Sequence, residues 1–448
     1  MAARTARPVT LQRWLKTVGI AVLLLAGAGS GAFASSVIQE PDAAEPQEQE
    51  ENSSKPPRRE VEEEDDADVA PDAMRDPLIA KVIHRRVLID KPHFSMETGG
   101  KVQLQYYDTD SADPDNEDKL FLRRIRPFLM GHFATHWKWK AELERSAQIT
   151  AFDFGSSSLD FRDLFVRYEG FERAGTRLTI GNQKAPFSRE FMRPSTSLLF
   201  VERTAVGLND SGVPDRLLGV HVRRPFASDK AALWASVGSE SLEQDVRSLW
   251  FRPTLGADNE FNRGWLGAGR LDFQPAGPRH SDKNLHLEMS FAGYYWENDG
   301  SRNTFTQEGV ALDPLRADVN TASGLELSGV LDAGGFTLGF QHNWIEATSV
   351  ADDFTGGIYL AGDADAKTST LQSAYRIARR RVQSAAGATR FDVQTYVEPW
   401  TEWILGFNLD LQERYLAKLQ ITTRWISSRF GLPGEDFVET RLQVQYVW

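Results

Sequence analysis

The residues best suited to chemistry in this chain are cations crowded into one stretch. Between residues 119 and 224 there are 18 Lys and Arg against 11 Asp and Glu, a surplus of seven within a chain of 448 residues and net charge −12. Arg123, Arg124 and Arg126 fall in one run, FLRRIRPFLMGHF, and Lys138 and Lys140 follow in WKWKAELE. Arg162, Arg167 and Lys184 come next, and a connection of about thirty residues then holds Arg189, Arg193, Arg203 and Arg216. Guanidinium groups present forked donors that match phosphate-like oxygens, and low-dielectric walls focus the field of such a cluster and concentrate anions. A structural reading competes: Glu142, Glu144, Asp160 and Asp163 lie on neighbouring segments and could pair with these bases to hold a polar interior together.

Other chemistries find little support. The absence of cysteine removes thiol catalysis, Cys-based zinc sites and disulfide scaffolds. A net acidic chain lacks the basic surface by which nucleic-acid binders displace counterions. His132 and His136 are four apart across a strand turn and do not converge on a metal. The acidic run Asp108 to Asp118 lacks the central Gly and ordered spacing of a calcium loop and reads as a solvated loop. His280-Ser281 has no companion motif for lipid hydrolysis. The charged inward faces also argue against an aromatic sugar slide. No catalytic residue, metal site or cofactor is expected, and the chain does not read as an enzyme.

The elements that must position the cations are strands. Apolar and polar residues alternate with period two in Trp137–Glu144, in Val102, Leu104 and Tyr106 against Lys101, Gln103 and Gln105, and in Leu442, Val444, Tyr446 and Trp448 against Arg441, Gln443 and Gln445. Alternation alone fits a soluble sandwich too. Segments long enough to cross a tilted membrane (about 9–11 residues), aromatics at segment ends and alternating short and long connections favour a membrane barrel. The fold class expected is all-β, a transmembrane antiparallel barrel of sixteen strands: 99–108, 119–133, 135–148, 159–171, 175–184, 215–225, 230–239, 263–274, 284–297, 322–332, 335–347, 366–379, 387–398, 402–412, 414–427 and 437–448. An even count lets a single chain close, and sixteen strands leave a lumen wide enough for water. Residues 1–34 read as a signal peptide, with a basic start, the run VGIAVLLLAGA and Ala32-Phe33-Ala34. Residues 35–98 read as a disordered acidic linker with a transition segment, and 99–448 as the barrel.

FLRRIRPFLMGHF with WKWKAELE, LDFRDLFVRYEGF, RLTIGNQKAPFS and SLLFVER resemble the phosphate-selective porin O/P family, with GRLDFQP and RLQVQYVW agreeing more weakly. The likeness spans about residues 95 to 448 and is densest from 119 to 224. It implies an outer-membrane barrel, a homotrimer, with the third extracellular loop folded inward to narrow a water-filled channel for small hydrophilic solutes. Arg123 and Arg124 match the family's paired arginines, and Lys184 ends its G-x-x-K-x-P-F motif. From this the expected pore-lining, anion-binding set is Arg123, Arg124, Arg126, Lys138, Lys140, Arg162, Arg167, Lys184, Arg189, Arg193 and Arg203. Expected partners are small anions such as phosphate, outer-membrane lipids and lipopolysaccharide, and the barrel-insertion machinery, through Trp448. Few lysines follow Lys184, so a lysine-rich binding cluster is not evident. The alternatives are a closed structural or surface-binding barrel, a non-selective porin and a barrel lipid hydrolase.

Overall fold

The computed structural model describes residues 86–110, 119–147, 157–171, 175–208, 212–226, 230–239, 241–245, 248–252, 265–276, 285–297, 306–307, 310–311, 319–349, 364–377, 381–394, 396–412 and 417–448. The signal peptide, the acidic linker to residue 85, most of the Asp108–Asp118 run and His280-Ser281 lie outside them. The strands are β1 (Arg86–Lys91), β2 (Phe94–Thr109), β3 (Lys119–Phe133), β4 (Trp137–Ala147), β5 (Ser157–Tyr168), β6 (Arg177–Lys184), β7 (Arg216–Phe226), β8 (Ala231–Ser239), β9 (Ser241–Asp245), β10 (Ser248–Arg252), β11 (Trp265–Ala276), β12 (His286–Glu297), β13 (Thr306–Gln307), β14 (Val310–Ala311), β15 (Val319–Ala333), β16 (Phe336–Ser349), β17 (Ala364–Ile377), β18 (Val382–Val393), β19 (Trp400–Gln412), β20 (Ala417–Ser427) and β21 (Phe437–Val447). Sixteen of them, β2–β8, β11, β12 and β15–β21, pair antiparallel with their chain neighbours, and β2 pairs with β21 to close the barrel. The short pairs β9–β10 and β13–β14 form separate two-stranded sheets.

Alternation places apolar side chains outside and polar ones inside. On β19, Trp403, Leu405, Phe407 and Leu411 face out and are exposed, while Glu402, Asn408 and Asp410 point into the barrel and are buried. Such inverted burial is what a lipid-facing wall around a polar lumen requires.

Two strand boundaries differ from the expected ones by five residues. The first barrel strand begins at Phe94 rather than 99, and its first residues pair with β1, so the transition segment contributes strands from Arg86 onward. Gly99-Gly100 resembles a strand start but lies inside the strand, where the chain closes: Gly100 and Trp448 exchange backbone hydrogen bonds of 3.0 and 2.9 Å. A Cβ on Gly100 would come within 2.4 Å of the Trp448 ring, so any larger residue there must displace that ring. The other is β18, found at 382–393 instead of 387–398. Its Ala385, Ala386, Gly387 and Ala388 have weak strand propensity. Two of them face the ring of Phe200, an inward-folded loop residue: Gly387 leaves room for it and Ala385 packs in its cluster.

The lumen is not charged throughout. At the ends of β11, β12 and β15–β21 that meet the long connections, the inward faces carry Leu266, Tyr294, Trp296, Ile345, Phe391, Trp400 and Phe437, all buried in one apolar cluster. The expectation of charged inward faces does not extend to this level. Buried apolar contact offsets the entropy of ordering a loop against the wall.

Candidate functional site

The connection Ala185–Asp215 between β6 and β7 folds into the barrel and touches its wall on several sides. Phe187 packs edge-on to Tyr294 at 4.7 Å, and the Tyr294 hydroxyl donates to the Gly212 carbonyl at 2.7 Å, fixing both ends of the loop to β12. Ser188 caps the one-turn helix Arg189–Met192 by accepting from the Phe191 N–H and donates to the Val206 carbonyl. Gln341 and Asn343 of β16 also donate to that carbonyl. On the opposite side, Asn408, Lys418 and Gln420 donate to the carbonyls of Leu198 and Leu199, and Arg424 to those of Glu202 and Arg203.

This docking rests on a neutral belt of side-chain amides that the sequence reading missed. Gln105 donates to Gln443, Gln443 to Gln420, Gln420 to Asn408 and Asn408 to Gln383, crossing β2, β21, β20, β19 and β18. An amide can both donate and accept, so Gln443, Gln420 and Asn408 each do both along the row, and Gln420 and Asn408 also donate to the loop. Glutamines recurring every second residue on β2 and β21 were its signal.

Two bulges bring additional charge into the lumen. Gln103 faces Arg124 while Leu104 faces Leu122, so Arg123 is an extra residue and both arginines turn inward. Likewise Ala141 faces Leu164 and Leu143 faces Phe161, which puts both Arg162 and Asp163 inside.

The wall cations meet carboxylates. Arg126 pairs with Glu144 at 2.8 Å, and Lys140 with Asp163 at 2.9 Å. Arg162 contacts Glu144 and lies 2.8 Å from Asp215, and Arg216 lies 2.9 Å from Asp163. Lys138 pairs with Glu169 at 2.9 Å near the short-turn end, and Arg167 approaches the same carboxylate while donating to Thr179. Arg124 lies 3.3 Å from Glu144 and 3.4 Å from Glu202. Arg123 holds Glu202 at 2.7 Å. Removing one partner from such a buried pair strands the other charge. The His132 ring shares a 2.6 Å hydrogen bond with Ser95, and His136 packs against Tyr168.

Lys184, at the end of β6, and the loop cations sit differently. Lys184 donates to the carbonyls of Met192 and Arg193, and Arg203 to those of Glu190, Phe191 and Arg193, while both lie over the Phe191 ring. Arg189 reaches Glu288 at 3.3 Å. Lys184, Arg189, Arg193 and Arg203 all keep partial exposure, and Arg189 and Arg193 border a cavity completed by Gln341, Thr370 and Gln372. Burial lowers Arg203 to about 10, and burial with repulsion from Arg270 brings Arg189 to about 10, so both are cations at neutral pH. Burial would raise the Glu202 carboxyl, but Arg123 and Arg124 outweigh it and hold that group well below the usual carboxylate range.

With this geometry in place, the sequence model for phosphate-selective porin O and P matches residues 96–292, in agreement with the resemblance of the basic stretch. No curated protein matches the chain. Three solved structures share the fold. OmpT of Vibrio cholerae in its trimer form is 12% identical, with a TM-score of 0.50, covering 80% of this chain and 100% of that one. The outer-membrane channel DcaP of Acinetobacter baumannii is 12% identical, with a TM-score of 0.52, covering 81% and 99%. OprB of Pseudomonas putida is 10% identical, with a TM-score of 0.52, covering 80% and 94%. At these identities the likeness is one of fold, a closed sixteen-strand outer-membrane barrel. The family match and the barrel together support a porin channel in the outer membrane.

Proposed function

We propose that the chain forms an outer-membrane porin passing small hydrophilic solutes, with a preference for anions such as phosphate set mainly by the inward loop. The observation that carries this reading is the contrast between wall and loop. Arg126, Lys140 and Arg216 are buried with carboxylate partners within 3 Å, whereas Arg193 and Arg203 are partly exposed on the loop face, where Arg203 donates to backbone carbonyls. Rings of Arg or Lys select anions by lowering the electrostatic barrier to entry. The wall pairs then act as a rigid polar scaffold and the loop cations as the filter.

Assembly as a homotrimer fits this reading, since OmpT of Vibrio cholerae has a trimer form. Export by the N-terminal segment, a periplasmic acidic linker and recognition of Trp448 during insertion complete it. Protein reconstituted in planar bilayers should give stepwise conductance with a chloride-to-potassium permeability ratio above one, falling on Arg189→Gln plus Arg193→Gln. A ratio below one in the parent overturns the anion preference, and absence of conductance overturns the channel.

A second reading, a barrel closed at rest, is favoured by one specific observation. Gln103, Gln105, Glu144, Lys418, Gln443 and Gln445 point inward yet have no solvent exposure. The same bilayer recording separates the two.

A further inference from the structure

We infer that Glu202 is a built-in counter-anion: its carboxylate occupies an oxyanion cradle formed by Gln105, Arg123 and Arg124, and a permeating oxyanion gains that cradle only by displacing it. This rests on the porin reading above and deepens it.

The geometry is that of a ligand in a site. Arg123 donates from Nε to Glu202 Oε1 at 2.7 Å and from Nη2 to Oε2 at 3.4 Å, a two-point contact of the kind that guanidinium makes with carboxylate or phosphate. Arg124 Nη2 adds a contact to Oε2 at 3.4 Å, and Gln105 Nε2 donates to Oε1 at 2.9 Å. Four donors thus converge on one carboxylate. Both arginines are available because the bulge turns consecutive residues inward.

Glu202 differs from the other carboxylates around these arginines in its attachment. Glu144 belongs to a wall strand, and its position is fixed by the sheet. Glu202 belongs to the loop, where Arg424 grips the carbonyls of residues 202 and 203 and Thr422 accepts from the Val201 N–H. Its side chain can leave the cradle without breaking a strand pairing. A tethered group competes with free solute at an effective concentration in the millimolar range or above. A permeating oxyanion therefore meets a cradle already neutralised, and Glu202 sets how tightly the pore holds its solute. Arg441, the next cation in the lumen, is bound to Glu439 at 3.0 Å and does not supply a substitute site.

The test is inorganic phosphate block of chloride current through single channels of the full chain in planar bilayers. Glu202→Gln keeps the side-chain shape and one acceptor but removes the charge, and should lower the half-blocking phosphate concentration at least tenfold. Adding Arg123→Gln and Arg124→Gln to that variant should abolish the gain, and Glu202→Asp should restore parental block. Heat-modifiable mobility on gels checks that each barrel is folded. Unchanged block in Glu202→Gln overturns the inference, as does a rise in conductance without any change in block, which would make Glu202 a latch only. Absence of current in parent and variants alike would instead defeat the porin reading.

Discussion

Phe200→Ala asks whether packing, rather than charge, holds the inward loop. The ring is 1% exposed and lies against two glycines of the wall: a Cβ on Gly406 would come within 2.9 Å of it, and one on Gly387 within 3.0 Å. Leu199, Ala374, Ala385 and Ile404 complete the pocket. Truncating a buried Phe costs about 3–5 kcal/mol in a closed core. The backbone bonds from Asn408, Lys418 and Gln420 remain in the variant, so the lower figure applies. About 3 kcal/mol corresponds to roughly 100-fold in the ratio of docked to undocked loop. Undocking exposes Arg193 and Arg203 to trypsin, and cleavage tracks the open population when opening is fast relative to cutting. Cleavage in the loop should therefore accelerate about 100-fold while heat-modifiable mobility is unchanged. Gly406→Leu should act in the same direction by filling the seat from the wall side. Equal cleavage rates in parent and Phe200→Ala would refute the idea that this ring anchors the loop.

Three further outcomes follow from the same contacts. Gly100→Leu would drive its side chain into the Trp448 ring, so folded, heat-modifiable barrel should fall in yield, measured by gel shift after refolding. Arg270→Ala takes the cation from two carboxylates, Glu326, which is 0% exposed and 3.0 Å from the guanidinium, and Asp272, 2.6 Å from it; barrel stability should drop by about 3–5 kcal/mol in denaturant titrations. Glu202 has a folded-state carboxyl value below the unfolded one, so its contribution to docking is complete above about pH 4.5 and is lost only as pH falls through the lower folded value. With Arg123, Arg124 and Arg441 the cations acting on it, single-channel conductance should stay level from pH 8 to 5, and a transition near pH 6 would contradict the assignment.

The barrel was legible because lipid imposes alternation on every strand, and alternation survives in a single sequence. What escaped was phase. Leu120 and Leu122 face out at even positions, then Ile125, Pro127 and Leu129 at odd ones, so the slip that turns both Arg123 and Arg124 inward is written in FLRRIRPFL for a reader who follows parity through the run. The displaced β18 had a different cause, since its small residues answer to Phe200, some 190 positions earlier, and not to local propensity. The cation cluster was legible as composition, and the acids Glu144 and Asp163 were legible as its partners, but the individual pairings were not. A surplus counted along 119–224 treats charge as a property of a segment, whereas register decides which charges meet. Arg123 meets Glu202, 79 positions away, and Arg270 meets Glu326, 56 away. A closed sheet makes neighbours of residues far apart in sequence, so bases and acids of the same basic stretch meet across strands and loop, Arg126 with Glu144, Lys140 with Asp163 and Arg162 with Asp215. Arg189, Arg193 and Arg203, on which the proposed anion preference rests, sit on the inward loop, whose placement period-two alternation does not encode.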